Sequence, residues 1–189
     1  MRKRLLIVGG PNGAGKTTFV RQFLTENRDE YLGADQIAAE LNPDRPESVA
    51  FEAGRLFLQR LIDRIDRGQS AIIESTLAGR SLVRHVEKAS DLGFETAVNF
   101  VFLDSPETCV ARVAQRVRMG GHHVPEDDVR RRYSRCLRYF WHVYRPVVDR
   151  WQLHFNRGGD YLAVAAGSGT IFQVEHSQAM NTFLAIAEA

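Results

Sequence analysis

The residues with the clearest chemical potential form one glycine-rich segment, Gly10-Pro11-Asn12-Gly13-Ala14-Gly15-Lys16-Thr17. This is the spacing of a phosphate-binding P-loop (Walker A motif), in which glycines let the backbone curl so that several N–H groups point at one phosphate. A lysine placed like Lys16 reaches the β- and γ-phosphates, and a hydroxyl placed like Thr17 binds Mg²⁺. We therefore predict that residues 10–18, Thr18 included, bind ATP or GTP together with Mg²⁺.

The flanking elements have the pattern that a P-loop requires. Residues 5–8 are a short apolar run typical of a buried strand, and residues 17–24 have the pattern of a helix. A helix beginning at Lys16 directs the positive end of its dipole towards the same phosphate. This strand–turn–helix context favours a functional P-loop over an incidental glycine-rich turn.

A carboxylate, Asp35, follows the P-loop in the sequence Tyr31-Leu32-Gly33-Ala34-Asp35. If a short strand precedes it, Asp35 lies at the carboxyl edge of a parallel sheet, where ligands bind in doubly wound folds. There it would bind a substrate hydroxyl and accept its proton as the hydroxyl attacks the γ-phosphate. The alternative is an N-cap for the helix that starts at Gln36, and spacing alone does not separate the two.

A second polar group, Glu74-Ser75-Thr76, directly follows an apolar strand at residues 71–73. Glu74 and Thr76 are expected to face the same crevice, where Glu74 would hold a substrate hydroxyl or a water on Mg²⁺. The alternative is a polar turn at the end of a strand. Arg80 would either pair with an anionic part of the substrate or lie in solvent at a helix start.

A further carboxylate, Asp104, ends an apolar strand at residues 96–103. In a P-loop fold it would either bind magnesium or cap the helix that has Pro106 at its first position. We favour the cap, because proline is common at that position and aspartate is a frequent N-cap.

Arginines are concentrated between Arg112 and Arg138, in two predicted helices that a Gly120-Gly121 break separates. Such a pair of helices can form a hinged lid, here about residues 116–132, whose arginines stabilise charge on the transferring phosphoryl group. Arg116 and Arg132 are the predicted catalytic arginines, and Arg118 is predicted to bind nucleotide, with Arg112 as a further candidate. We interpret three others as surface charges: Arg131, Arg135 and Arg138. His122 and His123 lack metal-ligand spacing, so we expect them to form hydrogen bonds within the lid.

The alternation of strands and helices predicts an α/β fold, a doubly wound, mostly parallel sheet with helices on both faces and the helical lid. Further helices are expected at residues 47–67, 81–92, 106–119, 125–150 and 177–188. The apolar face of the first of these is predicted to consist of Phe51, Leu56 with Phe57, Leu58, Leu61, Ile62 and Ile65. Further strands are expected at residues 151–155 and in two short runs within 161–174. At 189 residues, the chain is expected to be one P-loop domain spanning residues 1–189.

Composition limits the partners. The net charge of +2 and the 44% hydrophobic content are ordinary for a globular protein and do not indicate nucleic acid or a membrane surface. No apolar stretch is long enough to span a bilayer, and the apolar run after the basic residues 1–4 ends at Val8, too early for a signal peptide. Cys109 and Cys136 are expected to be core thiols in a reducing compartment. We therefore expect a cytoplasmic location.

These motifs together resemble those of the zeta toxin family of P-loop kinases, and in particular its shorter stand-alone members. The resemblance covers about residues 4–156 and rests on the P-loop, Ala34-Asp35, Glu74-Ser75-Thr76-Leu77, and the run from Arg116 to Pro125 followed by Arg131-Arg132-Tyr133. The P-loop alone is widespread, whereas its combination with the Ala-Asp, Glu-x-Thr and Gly-Gly-His-x-Val-Pro motifs is far more specific.

The resemblance implies an ATP- and Mg²⁺-dependent kinase, since zeta toxins phosphorylate the 3′-hydroxyl of UDP-N-acetylglucosamine. It implies that Asp35 is the general base, that Lys16 and Thr17 bind phosphate and metal, and that Glu74 and Thr76 bind the sugar nucleotide. It also implies lid arginines that clamp phosphates and raises the question of an antitoxin protein partner. Arg80 lies slightly further along than the substrate-binding arginine of the toxins.

Two other functions fit the same motifs. One is a kinase for another metabolite, a nucleoside or an antibiotic hydroxyl, because the P-loop and Asp35 would serve equally well. The other is a regulatory ATPase without a small-molecule acceptor, although the sequence has neither a Ser-Gly-Gly-rich signature segment nor a strand-borne Asp-Glu pair.

Overall fold

A computed structural model describes residues 3–23, 31–121 and 123–189 of the chain. Their strands form a seven-stranded sheet in the order β2-β3-β1-β4-β5-β6-β7. Strands β1 to β5 pair in parallel, and β6 and β7 extend one edge in antiparallel fashion. The strands are β1 (Arg4–Gly9), β2 (Tyr31–Leu32), β3 (Ala71–Ser75), β4 (Glu95–Phe102), β5 (Arg150–Arg157), β6 (Asp160–Ser168) and β7 (Ile171–Val174). The predicted fold, a mostly parallel α/β sheet of the P-loop NTPase class, is confirmed.

Seven α-helices accompany this sheet within the described residues: α1 (Lys16–Phe23), α2 (Ala34–Leu41), α3 (Ala50–Asp66), α4 (Val83–Asp91), α5 (Pro106–Arg118), α6 (Glu126–Tyr139) and α7 (Ser177–Ala187). Helix α1 begins at the predicted residue, and Leu24, its predicted last residue, lies outside the described residues. None of the described helices is both long and apolar enough to cross a membrane.

Strand β1 lies at the point where the winding of the sheet reverses. Its neighbours are β3 on one side and β4 on the other, and both run parallel to it. Elements that leave the carboxyl ends of such strands separate to opposite faces, which opens a crevice at that edge. The P-loop leaves β1 at this crevice, so the sheet topology places the phosphate-binding segment at the expected ligand site.

The observed helix in the region predicted as 47–67 differs from the prediction in where it starts and in the burial of one residue. Pro46–Val49 forms a separate 3₁₀ turn, and α3 starts only at Ala50. The buried face consists of residues four apart, Ala53, Phe57, Leu61 and Ile65. Phe51, predicted on this face, is 89% exposed, because it lies two residues before Ala53 and therefore about 200° round the helix from it.

Two other local predictions are corrected. The long helix predicted to end near residue 150 is α-helical only as far as Tyr139. A π-helical turn at Phe140–Tyr144 and a 3₁₀ turn at Arg145–Val147 follow it. The 3₁₀ turn contains Pro146, which has no N–H for the α-helical pattern. The cap of α5 is Ser105, whose side chain accepts from the Thr108 N–H at 3.1 Å, and not Asp104, which accepts from the Thr108 hydroxyl at 3.0 Å.

The two cysteines are buried free thiols, as predicted. Cys109 lies in α5 and Cys136 in α6, within the apolar layer between these helices and the sheet. Burial raises the pKa of the Cys109 thiol to about 12 and raises the pKa of the Cys136 thiol as well. Both thiols are therefore protonated and shielded at neutral pH.

We predict that neither thiol reacts with the disulfide reagent DTNB at pH 8 while the protein is folded, because the thiolate is the reactive form. Both thiols, two per chain, should react within minutes in guanidinium chloride. Absorbance of the released thionitrobenzoate measures the reaction, and rapid labelling of the native protein would contradict the buried assignment.

Candidate active site

The P-loop backbone is confined by two neighbouring elements. Gly10, Gly13 and Gly15 have positive φ angles of 144°, 81° and 93°. A Cβ on Gly10 would lie 2.0 Å from the carbonyl oxygen of Val101 in β4, and one on Gly13 would lie 2.6 Å from that of Cys109 in α5. Because backbone atoms occupy these positions, only glycine fits, and the loop path is determined by the sheet and by α5.

Lys16 is held inside this loop. Its ammonium donates to the carbonyl oxygens of Gly10 and Pro11, both at 3.0 Å. Burial lowers the pKa of Lys16 below its usual value, and the nearby Glu74 carboxylate partly opposes that shift. The ammonium has three hydrogens and these bonds use two, so the third is available to a phosphate in the loop. The buried Oδ1 of Asn12 has no hydrogen-bond partner in the described structure, so it is available to a ligand donor.

Glu74 joins the P-loop helix to strand β2. One carboxylate oxygen accepts from the Thr17 hydroxyl at 3.0 Å, and the other accepts from the Tyr31 hydroxyl at 2.8 Å. A hydroxyl that donates to a carboxylate keeps a lone pair for a cation, and both are oxygen ligands of the type Mg²⁺ prefers. Thr17 and Glu74 therefore fit a magnesium site. Glu74 is more than a polar turn residue, because it lies within β3 and bonds two other elements.

Asp35 is the second residue of α2, and the N-cap of that helix is Gly33, which makes no side-chain cap bond. The N-cap alternative for Asp35 is therefore wrong. Asp35 is among the residues that line a cavity of about 1020 Å³, together with Asn12, Lys16 and Thr17 of the P-loop. The predicted site residues that line this cavity are Asn12, Lys16, Thr17, Asp35, Glu74, Thr76 and Arg132.

The predicted arginines divide into two groups. Arg132 lines the cavity and pairs with Asp128 at 3.0 Å, one turn earlier on α6. The other four, Arg80, Arg112, Arg116 and Arg118, are not among the residues that line it. Their roles in binding or catalysis stay predictions.

Other predicted positions can also be located. Arg135, interpreted from sequence as a surface charge, donates to the Ala78 carbonyl at 2.9 Å and thus ties α6 to the loop after β3. Residues 119–125 separate α5 from α6, and Val124 in this loop reaches the cavity wall. His123 is exposed, and His122 lies outside the described residues.

Three residues that the sequence analysis missed support the site, Tyr31 from the cavity wall and Asn156 and Tyr161 from the β5–β6 hairpin. Tyr31 bonds Glu74, as described above. Asn156 and Tyr161 each donate a hydrogen bond of 2.7 Å to a P-loop carbonyl, that of Ala14 and that of Gly15 respectively. No spacing rule connects them to the P-loop, because they lie on strands far along the chain.

Comparison with sequence families gives one match that covers most of the site. The family model described as AAA domain matches residues 5–137. An uncharacterized protein of Haemophilus influenzae (strain Rd) is 32% identical over 133 residues, which is 70% of this chain and 94% of that protein. The segment that matches the family model, residues 5–137, contains the P-loop, Asp35, Glu74 and Arg132.

Comparison with solved structures supports the fold. A chain of the AvrRxo1-ORF1:-ORF2 complex crystallised with ATP superposes with a TM-score of 0.76 over 96% of this chain, at 16% identity. The present chain spans only 63% of the length of that chain. A chain of the PezAT toxin–antitoxin system of Streptococcus pneumoniae superposes with a TM-score of 0.60, at 16% identity, over 99% of this chain and 85% of its own. At these identities the similarity is one of fold.

We predict that Tyr31→Phe lowers the free energy of unfolding by about 1–2 kcal/mol, because the bond from Tyr31 ends on a carboxylate. The same change should cost less in a Glu74→Gln background, where the accepting charge is gone. Urea unfolding followed by circular dichroism measures both differences.

The control for this cycle is Tyr139→Phe, because the Tyr139 hydroxyl makes no hydrogen bond in the described part of the chain. It should change stability equally in both backgrounds. If the costs of Tyr31→Phe and Glu74→Gln simply add, the two side chains are not coupled and the described contact is wrong.

Proposed function

We propose that this chain, which belongs to the AAA domain family, is an ATP- and Mg²⁺-dependent kinase that transfers the γ-phosphate to the hydroxyl of a small molecule. The observation that carries the proposal is the shared cavity. Lys16 and Thr17 of the P-loop and Asp35 line the same space of about 1020 Å³. A carboxylate could also activate water, but a site that only hydrolysed ATP would not need an acceptor-sized space beside the phosphate loop.

The residues around the cavity have distinct roles in this proposal. Lys16 and the P-loop amides bind the β- and γ-phosphates, and Asp35 orients the acceptor hydroxyl and takes its proton. Arg132, already at the cavity wall, stabilises charge on the transferring group. Mg²⁺, when bound, neutralises phosphate charge, and Thr17 with Glu74 would hold it.

Two of the predicted arginines belong to the lid in this proposal. Arg116 and Arg118 lie on the last turn of α5, next to the glycine break, and do not line the cavity in this conformation. We include residues 116–132 as a lid that closes over the nucleotide, which would bring these side chains to the phosphates. Arg80, in the loop after β3, is retained as a proposed contact to an anionic part of the acceptor.

We propose UDP-N-acetylglucosamine or a related sugar nucleotide as the acceptor. The proposal rests on the resemblance to zeta toxins and on the lining of the cavity beyond the P-loop. Polar groups of Gln36, Glu74 and Thr76 are available to sugar hydroxyls, and Ala50 and Phe57 supply an apolar wall for a ring.

The partner that we propose is an antitoxin-type protein. PezAT is a toxin–antitoxin system, and the other similar structure is also a two-component complex. This part of the proposal rests on similarity of fold and on the motifs shared with zeta toxins, and the substrate proposal does not depend on it.

The acceptor can be identified by incubating the protein with labelled ATP, Mg²⁺ and single candidate acceptors, followed by mass spectrometry. We expect a phosphorylated sugar nucleotide from UDP-N-acetylglucosamine. Transfer only to another metabolite, nucleoside or antibiotic would support kinase activity but would contradict UDP-N-acetylglucosamine as the acceptor. ATP hydrolysis without any phosphorylated small product, stimulated by a protein partner, would instead indicate a regulatory ATPase.

The base can be tested with Asp35→Ala, which we expect to lower turnover about 10²- to 10⁴-fold because proton transfer to a side chain is lost. The dissociation constant for ATP should change little, because Asp35 is not part of the P-loop. Initial rates and calorimetric titration with ATP measure the two quantities.

The matched control is Asp91→Ala, which removes an exposed carboxylate at the end of α4 and should leave the rate unchanged. Unchanged phosphotransfer by Asp35→Ala would show that another group accepts the proton. A parallel loss of ATP binding would mean that Asp35 contributes to the nucleotide site instead.

A further inference from the structure

The tip of the β5–β6 hairpin (residues 156–161) packs against the rear of the P-loop. Asn156 on β5 and Tyr161 on β6 are directly paired across the antiparallel ladder. Side chains of directly opposed residues lie on the same face of a sheet, so both point in one direction. That direction is towards the P-loop, where Asn156 Nδ2 donates to the Ala14 carbonyl and the Tyr161 hydroxyl donates to the Gly15 carbonyl.

Both donors are held in place by other contacts. The Gly159 N–H donates to Asn156 Oδ1 at 3.0 Å, which orients the amide so that its NH₂ group faces Ala14. Asn156 is only 3% exposed. The Tyr161 ring packs edge-on against Phe19 and Phe23 of α1, with centroid distances of 5.2 and 5.8 Å. The hydroxyl position is therefore determined by the packing of the ring.

Glycine at position 15 allows this close approach. A Cβ there would lie 2.6 Å from Asn156 Nδ2 and 2.7 Å from the Tyr161 hydroxyl. The φ angle of Gly15, 93°, is also one that side chains rarely adopt. The hairpin and the loop thus fit together only when the loop has no side chain at this point.

The two bonds have a geometric consequence for the opposite side of the loop. In a trans peptide the C=O and the N–H of the next residue point in opposite directions. Holding the Ala14 carbonyl towards the hairpin therefore directs the Gly15 N–H away from it. The Gly15 carbonyl accepts from both the Tyr161 hydroxyl and the Phe19 N–H, the latter at 2.9 Å. The hairpin and the first turn of α1 therefore together direct the Lys16 N–H. The N–H groups of Gly15 and Lys16 are the amides that begin α1, where the helix dipole also favours an anion.

We propose that Asn156 and Tyr161 are positioning residues that hold the Gly15 and Lys16 amides in the orientation that binds a phosphate. They act through the P-loop carbonyls and do not touch the nucleotide. The inference rests on the proposed ATP-binding function of the loop. It assigns a role in nucleotide affinity to a hairpin that lies outside the family-matched segment at residues 5–137.

The sharpest test is Tyr161→Phe, which keeps the ring packing and removes only the hydroxyl. Titration calorimetry with ATP and Mg²⁺ should show a dissociation constant about 3- to 10-fold higher than that of the unchanged protein. In the kinase assay the KM for ATP should rise by a similar factor, while the KM for the acceptor stays the same.

A second variant, Asn156→Asp, keeps the acceptor for Gly159 but places a carboxylate oxygen against the Ala14 carbonyl. It should weaken ATP binding more than Tyr161→Phe does, because two acceptors then face each other. If this variant does not fold, Tyr161→Phe alone still decides the question.

The matched control is Tyr144→Phe, which also removes a tyrosine hydroxyl that donates to a backbone carbonyl, that of Gly79. It should lower the unfolding temperature as much as Tyr161→Phe but leave ATP affinity unchanged. Equal ATP affinities in Tyr161→Phe and the unchanged protein would overturn the inference, and so would equal losses in both tyrosine variants. Failure of the unchanged protein to bind ATP would overturn the proposed function itself.

Discussion

The close packing around the P-loop backbone is the constraint on which the rest of the site depends. Carbonyl groups of β4 and α5 occupy the places where side chains at Gly10 and Gly13 would lie. The β5–β6 hairpin occupies the corresponding space at Gly15. A loop bounded on these sides retains its shape without a ligand, so binding loses little further conformational entropy. The glycines therefore serve packing as well as phosphate access.

The second organising contact is the pair of hydrogen bonds to Glu74. Strand β2 pairs in parallel with β3, and in this register Leu32, the last residue of β2, lies opposite Ile73, two residues before β3 ends at Ser75. Helix α2 starts two residues after Leu32, which puts Asp35 at the same sheet edge as the P-loop. Because Tyr31 and Thr17 both donate to Glu74, the short edge strand is tied to α1 as well as to β3. The position of Asp35 thus depends on contacts that no single motif contains.

Sequence predicted the parts of the molecule that depend on local pattern. Apolar runs bounded by glycine and charged residues located the strands, and the P-loop spacing located α1 and the cavity edge. The prediction for Phe51 was wrong because an apolar residue need not be buried, and Phe51 lies about 200° round the helix from Ala53 on the buried face. The arginines of α5 could not be assigned, because their distance from the cavity depends on how two helices pack. Tyr31, Asn156 and Tyr161 were missed because contacts between distant segments leave no spacing in the sequence.

The hydrogen bonds between the hairpin and the P-loop also bear on the order in which the parts of the molecule fold. Asn156 and Ala14 are 142 residues apart along the chain, and Tyr161 and Gly15 are 146 apart. A ribosome releases the glycine-rich segment long before the strands that brace it, and closing so long a connection is an entropic cost met late in folding. During synthesis there is therefore a stage at which the P-loop residues have left the ribosome but the hairpin that hydrogen-bonds to them has not. The P-loop would then be able to bind a nucleotide tightly only after the hairpin has folded, late in folding and not at its start.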